Sequence, residues 1–288
     1  MTTELKKKRQ RDRFVGDWEA DEALSYRVNR RISRLWPQSK VAGGLSRRNQ
    51  DEDRIIFQAL QGALGRGERV VLGRGRRPAV LKDIGLLIKP EDEDTPAGTT
   101  TVWTSDWTHT GERLKLFSYG AAMMEGGPLH TLNLNLGETV QREALRSRRG
   151  VAGYLSERIS RHLKKAGEPS PSYAFLIEAS PVHDMHVHGL IQSNQNAASL
   201  RAALKAAGGE CLGKPHERQV HLKPVWSLEG WVAYIAKATF TTAREVRRLK
   251  TRETGEASRT MLIGATQGVR RAGAAWYRNM RRTGDPIV

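Results

Sequence analysis

Thiols are nearly missing from this chain: Cys211 is the one cysteine in 288 residues. That excludes an intrachain disulfide framework and a cysteine-ligated zinc finger. Aromatic residues reach only 6% and apolar residues of all kinds 38%. This is low for a wholly compact enzyme, so part of the chain is expected to be tail or linker. No apolar run approaches the roughly 18 residues that a membrane helix needs. The segment Met1 to Arg13 is basic and polar with no apolar stretch, which argues against a secretory signal. A soluble cytoplasmic protein without a membrane partner is expected. Acidic residues are also short: 31 Asp+Glu against 48 Lys+Arg leave a net charge of +17. Such an excess favours a polyanionic partner, nucleic acid before an acidic membrane surface. Arg outnumbers Lys 34 to 14, and the planar guanidinium suits bidentate phosphate contacts.

Residues 1–110 form a charged, mixed region of unknown role, opening on Lys6-Lys7-Lys8-Arg9. Within it, apolar spacing predicts helices over Asp17 to Trp36 and over Ile55 to Leu64. A Gly/Arg-rich stretch from Gly65 to Pro78 and an acidic loop from Lys89 to Thr101 follow. Residues 111–240 are better patterned. Arg113 to Tyr119 reads as a strand. Leu129 to Leu136 alternates, with Thr131, Asn133 and Asn135 on one face and Leu132, Leu134 and Leu136 on the other, which predicts a half-buried strand. One amphipathic helix is expected over Glu143 to Lys165. Strands follow at Tyr173 to Glu178 and His186 to Ile191, a helix at Ala197 to Ala207, a strand at Gln219 to Val225 and a helix at Leu228 to Ala238. The order from Leu129 on is β-α-β-β-α-β-α. That predicts an α+β fold, a ferredoxin-like antiparallel sheet with helices on one face. Residues 241–288 hold 11 Arg/Lys against 4 Asp/Glu and read as a basic, helical, peripheral tail.

The chemistry concentrates in three short motifs. In His186-Val187-His188 the two imidazoles stand at i and i+2 of a predicted strand, on one face, so both can point at one metal ion. Glu178 ends the apolar run of the preceding strand. A carboxylate there is costly unless paired or metal-bound, although a glutamate at a strand end can also face water. Two imidazoles and a carboxylate suit Mg²⁺ or Mn²⁺ in phosphate chemistry, or Zn²⁺ in a hydrolase. His183 and Asp184 are competing ligands on the connecting turn. Tyr234 and Lys237 are i, i+3 neighbours on a helix. A tyrosine oxygen attacks phosphorus once activated, and a nearby ammonium helps its anion form. A packed tyrosine beside a solvated lysine fits the same spacing. Trp103 and Trp107 are readable as base-stacking residues or, more commonly, as core packing.

Taken in order, the alternating strand, the His-hydrophobe-His strand and the Tyr-x-x-Lys helix resemble the HUH endonucleases. The replication-initiator branch is the nearest in pattern, with a strand through Lys223-Pro224 leading into the tyrosine helix. The resemblance covers about residues 129–240 and is of the single-tyrosine type. It implies a divalent metal on Glu178, His186 and His188. It also implies that Tyr234 joins covalently to the 5′ end of a nicked single strand, with Lys237 orienting the phosphate or the tyrosine. Lys223, Arg270 and Arg271 are the candidate DNA contacts. The expected partners are single-stranded and origin DNA, with a host helicase and polymerase, because no G-x-x-x-x-G-K-[ST] phosphate loop is present. A transposase or relaxase would share this chemistry. A non-catalytic basic DNA-binding regulator would share the charge alone. A metal hydrolase barrel is a poor fit, because it needs about 250 residues and only 100 follow His188.

Overall fold

A computed structural model describes residues 47–74, 99–104, 106–180, 185–211, 219–255, 261–283 and 287. All of them belong to one compact unit, Gly43–Val288. The predicted helix over Asp17 to Trp36, the candidate ligands His183 and Asp184, and most of the acidic loop lie outside the described residues. Helix α1 (Arg47–Gly65) is followed by strands β1 (Arg69–Arg74) and β2 (Thr99–Thr104), which pair in parallel as a separate two-stranded sheet. The Gly/Arg-rich stretch therefore contains a strand, nucleated by Val70 and Leu72, both fully buried.

Helix α2 (Glu112–Met124) occupies the segment expected to begin as a strand. The alternation of Leu114 and Leu116 covers too few positions to set a period, and the residues from Leu116 to Gly120 are buried without a break. Continuous burial is equally compatible with a helix and a strand. Beyond it run β3 (His130–Asn135), α3 (Glu138–Arg146), α4 (Gly150–Lys165), β4 (Ser172–Glu178) and β5 (His186–Gln192). Then come α5 (Ala197–Gly208), β6 (Val220–Pro224), α6 (Leu228–Ile235), α7 (Thr239–Thr254), β7 (Ile263–Ala265) and α8 (Gln267–Thr283). The single helix expected over Glu143 to Lys165 is two: Gly150, at φ +72°, takes a left-handed conformation that ordinary side chains avoid and separates α3 from α4.

The chain is α+β, with a five-stranded antiparallel sheet in the order β6-β3-β5-β4-β7. Helices cover both faces of this sheet, against the expectation of one. Tyr173 on β4 sends its hydroxyl to Ser160 Oγ in α4, at 2.7 Å. Leu190 on β5 instead packs toward Gly120 in α2. Tyr173 lies opposite Ile191, so Leu190 points to the other face. The reason is visible in β4: Ala174-Phe175-Leu176-Ile177 is apolar at every position and buried throughout. A strand of that kind needs a cover on each side, and each fully buried large side chain contributes about 1.5–3 kcal/mol.

The segment 241–288 is not a peripheral tail. β7 pairs with β4 and extends the sheet. Helix α8 buries Val269, Gly273, Ala274 and Tyr277. Gly273 admits Tyr119 of α2 against the α8 backbone, and Trp276 meets Phe117 with ring centroids 5.9 Å apart. Arg270, Arg271, Arg278 and Arg282 are exposed on this amphipathic helix, while Arg281 is drawn in to Asp106 and the Thr104 carbonyl. Trp107 packs between Tyr119 and Tyr277, with centroids 5.8 and 5.4 Å away; of Trp103 only the backbone, in β2, is described.

Phe175 sits in register with Gly189 on β5 and Gly264 on β7. A Cβ on Gly264 would stand 2.1 Å from Phe175 Cζ, and one on Gly189 would stand 2.7 Å from Phe175 Cβ. One aromatic side chain thus covers two glycines across three strands. The glycine directly after the His pair is required by this close approach on the face away from the histidines.

Candidate metal centre

Register across the sheet determines which side chains meet. Glu178 lies opposite His186, Leu176 opposite His188, and Asn133 opposite His188 from the other side. Cross-strand partners share a face, so the carboxylate, both imidazoles and the Asn133 amide point the same way. His188 Nε2 lies 2.9 Å from Glu178 Oε2, and His186 Nε2 lies 3.6 Å from the same oxygen. The three donor atoms fall within 4.8 Å of one another. These are the candidate ligands of the sequence analysis, brought together by the β4–β5 pairing.

The other ring nitrogen of His188, Nδ1, is hydrogen-bonded to Asn133 Oδ1. The amide oxygen can only accept, so Nδ1 carries the proton and Nε2 keeps its lone pair for the cluster. An outer partner of this kind fixes tautomer and ring orientation in metal sites. Burial pushes the His188 imidazole below the usual histidine range. Glu178 opposes that shift, while His186 and the Lys237 ammonium reinforce it. A neutral, orientable imidazole is the form that binds a metal. For Glu178, burial acts upward, but the adjoining imidazoles of His186 and His188 outweigh it and hold the carboxyl far below its ordinary range. Two nitrogens and one anionic oxygen, all facing one point, suit a divalent cation.

Helix α6 lies over this cluster. Ser227 caps it by accepting the Gly230 N–H at 2.9 Å, and Leu228, Val232, Ala233 and Ile235 are buried. The remaining face carries Trp231 and Tyr234, one turn apart and stacked, with centroids 5.4 Å apart and planes at 23°. Trp231 donates its indole N–H to Gly189 O at 2.9 Å, clamping the helix to β5 beside His188. Tyr234 stands edge-on to His188 with centroids 5.8 Å apart. The Lys237 ammonium lies 4.5 Å above the Tyr234 ring, a cation–π contact. The structure thus brings Glu178, His186, His188, Tyr234 and Lys237 into one group. Lys223 is exposed on the edge strand β6, in register with Thr131 and on the same sheet face as His188. Arg270 and Arg271 are exposed on the first turns of α8, whose buried side packs on α2.

Three residues in the site's support were not singled out from the sequence for that role. Asn133 orients His188, and its signal was present as a polar residue in an alternating strand. Trp231 positions Tyr234; an aromatic pair at i, i+3 was the available clue. Gln141 on α3 donates to Leu136 O at 2.8 Å and accepts the Met185 N–H at 3.2 Å, tying the end of β3 to the residue before His186. Nothing local marks a glutamine for that role. His130, at the start of β3, points to the opposite face, since it alternates with Thr131.

No family model, curated protein or solved structure matches this chain. Among the described residues no helix is long and apolar enough to cross a membrane.

Proposed function

We propose that this protein nicks and rejoins single-stranded DNA through a tyrosine nucleophile and a divalent metal, as a replication initiator of the HUH type would. The observation that carries the reading is the edge-on approach of Tyr234 to His188, while His188, His186 and Glu178 converge on a shared point. A metal-ligand set and a phenol side by side are what phosphodiester transesterification requires. The order β6-β3-β5-β4, with helices in the β3–β4 and β5–β6 connections, supports a ferredoxin-like arrangement for the four central strands.

Glu178, His186 and His188 would hold Mg²⁺ or Mn²⁺, which when bound supplies Lewis-acid polarisation of the scissile phosphate. Asn133 keeps His188 in the ligating tautomer. Tyr234 Oη forms a bond to phosphorus as the bond from phosphorus to the 3′ oxygen breaks. The leaving oxygen takes up a proton and becomes a free 3′-hydroxyl, and the 5′ phosphate stays on the tyrosine. Lys237, over the ring, favours the phenolate that attacks. The net charge of +17 supplies the attraction that holds a single strand, so binding should weaken steeply with salt.

The test is a 3′-labelled random-sequence single-stranded oligonucleotide pool incubated with the protein and Mn²⁺. A protein–DNA adduct that survives denaturing electrophoresis, disappears in EDTA and is lost in Tyr234→Phe is expected. Binding of the pool with no adduct under any of these conditions would favour a non-catalytic DNA-binding regulator and overturn the proposal.

A further inference from the structure

The end of α6 that carries Tyr234 and Lys237 is held by residues far away in the chain. Arg113, in the first turn of α2, donates from Nη2 to Ala236 O at 2.8 Å. Ala236 is the C-cap of α6 and lies between the tyrosine and the lysine. The same guanidinium places Nη1 3.6 Å from Asp53 Oδ2, with Arg113 and Asp53 side chains only 11% and 5% exposed. Asp53, on α1, also accepts the backbone N–H groups of Arg113 at 3.1 Å and Leu114 at 3.5 Å. It therefore does the work of an N-cap for α2, whose own cap residue, Gly111, has no side chain to offer. A Cβ on Gly111 would collide with the Asp53 carboxylate, so the glycine makes room for this external cap.

A buried arginine–aspartate pair is weak evidence for stability, since well-packed apolar residues often serve as well. What it does here is directional. The guanidinium meets the C-terminal carbonyl end of a helix, where the backbone dipole is negative. α6 has only eight residues, and a short helix has unpaired carbonyls along its last turn. The amide after the cap makes only a long bond, Lys237 N–H to Tyr234 O at 3.4 Å. Arg113 is thus an external anchor on the turn that sets how Tyr234 meets His188.

Resting on the nicking reading above, we infer that Arg113, aligned by Asp53, is a positioning residue for the tyrosine step. It acts through the carbonyl end of α6. Its loss loosens the end of α6 and leaves the metal ligands in place. An error of about 1 Å in placing a reacting group can cost about 100-fold in rate, and that is the loss expected in kcat.

The experiment compares wild type with Arg113→Met, Arg113→Lys and Asp53→Asn, at a temperature where circular dichroism shows each variant folded. Single-turnover adduct formation with the labelled pool, the Mn²⁺ dissociation constant, and amide hydrogen exchange over residues 235–237 are measured. Arg113→Met should lose about 100-fold in kcat, keep KM and Mn²⁺ affinity, and exchange faster at 235–237. Arg113→Lys, which retains one donor for Ala236 O, should recover part of both. A folded Arg113→Met with wild-type kcat overturns the inference. So does a loss of Mn²⁺ affinity in step with kcat, which would mark a general structural role. If Arg113→Met does not fold, Arg113→Lys and Asp53→Asn decide by the same readings. If wild type forms no adduct, the nicking reading has failed; unchanged exchange at 235–237 in the variants then overturns the anchor separately.

Discussion

In the proposed site the metal end and the tyrosine end face one another, yet they are held by opposite means. Glu178, His186 and His188 sit on two strands that are neighbours in sequence and in space, and β-pairing alone brings their donors within 4.8 Å. Asn133 reaches His188 from the next strand over. Tyr234 and Lys237 belong to a short helix whose end is fixed by Arg113 and, behind it, Asp53 on α1. The first end is a product of register. The second depends on docking three helices. A site built this way can lose one half and keep the other, because a sheet ladder and a helix end fail by different routes.

The largest effects should separate those halves. His188→Ala removes a ligand at the metal end, and Mn²⁺ affinity should fall by more than about 100-fold, beyond the cost of losing an outer partner alone, with adduct formation lost as well. Tyr234→Phe should lose the adduct and leave Mn²⁺ affinity unchanged. Isothermal titration with Mn²⁺ on both variants checks this. A Tyr234→Phe protein that no longer binds Mn²⁺ would mean that the two ends are one cooperative unit.

The same division explains what the sequence made legible. The ligand set could be read because period-2 alternation, a short connection and an apolar run ending in Glu178 are local signals. The strands at Leu129 to Leu136, Tyr173 to Glu178 and His186 to Ile191 all correspond to observed strands. The support of the tyrosine end was hidden because it is tertiary. Arg113 was read inside a strand, and its partners Asp53 and Ala236 lie on other helices. In segment 241–288 the helices are legible but their packing is not, for a related reason: high charge suggests a tail, while the buried stripe Val269, Gly273, Ala274 and Tyr277 decides the packing of α8. That stripe contains a glycine and an alanine, which carry little hydrophobic signal.

Smaller effects test how far the metal end is self-contained. Asn133→Ala should weaken Mn²⁺ binding by about 10–100-fold, the usual cost of removing an outer partner of a ligating histidine. Asn133→Asp should retain much of it, since a carboxylate still accepts from Nδ1. Equal losses in the two variants would show that Asn133 shapes the strand and does not orient the ring. On the opposite sheet face, Gly264→Ala should cost about 1–3 kcal/mol in urea denaturation through overpacking against Phe175. Gly264→Ala paired with Phe175→Leu should recover part of that. The metal end should bind Mn²⁺ normally in a folded Gly264→Ala protein, since β7 contributes no ligand.

The gentlest lever is pH, which acts at the helical end through Glu112 and in the opposite sense at the metal end through His188, whose imidazole burial holds below its usual range. Glu112 opens α2 beside Asp53 and Arg113. Burial, reinforced by the Asp53 charge and opposed by Arg113 and Lys115, pushes its carboxyl from an ordinary value near 4.5 up to about 7. Between those two values the folded protein holds a proton that the unfolded chain has released. Stability therefore falls as pH rises through this window and levels off above about 7. Glu178 behaves in the contrary sense: it is held ionised in the fold, so its contribution is already complete across that range and is lost only at lower pH. Thermal unfolding in EDTA at pH 4.5, 6 and 8 measures the difference between wild type and Glu112→Gln. The two should be nearly equal at pH 4.5, where the glutamate is protonated in the fold, and the Gln variant should become progressively more stable toward pH 8. If it gains nothing on wild type between pH 4.5 and 8, the carboxyl is not held protonated by the α1–α2 contact. The helical end would then owe its position to Arg113 and Asp53 without this proton.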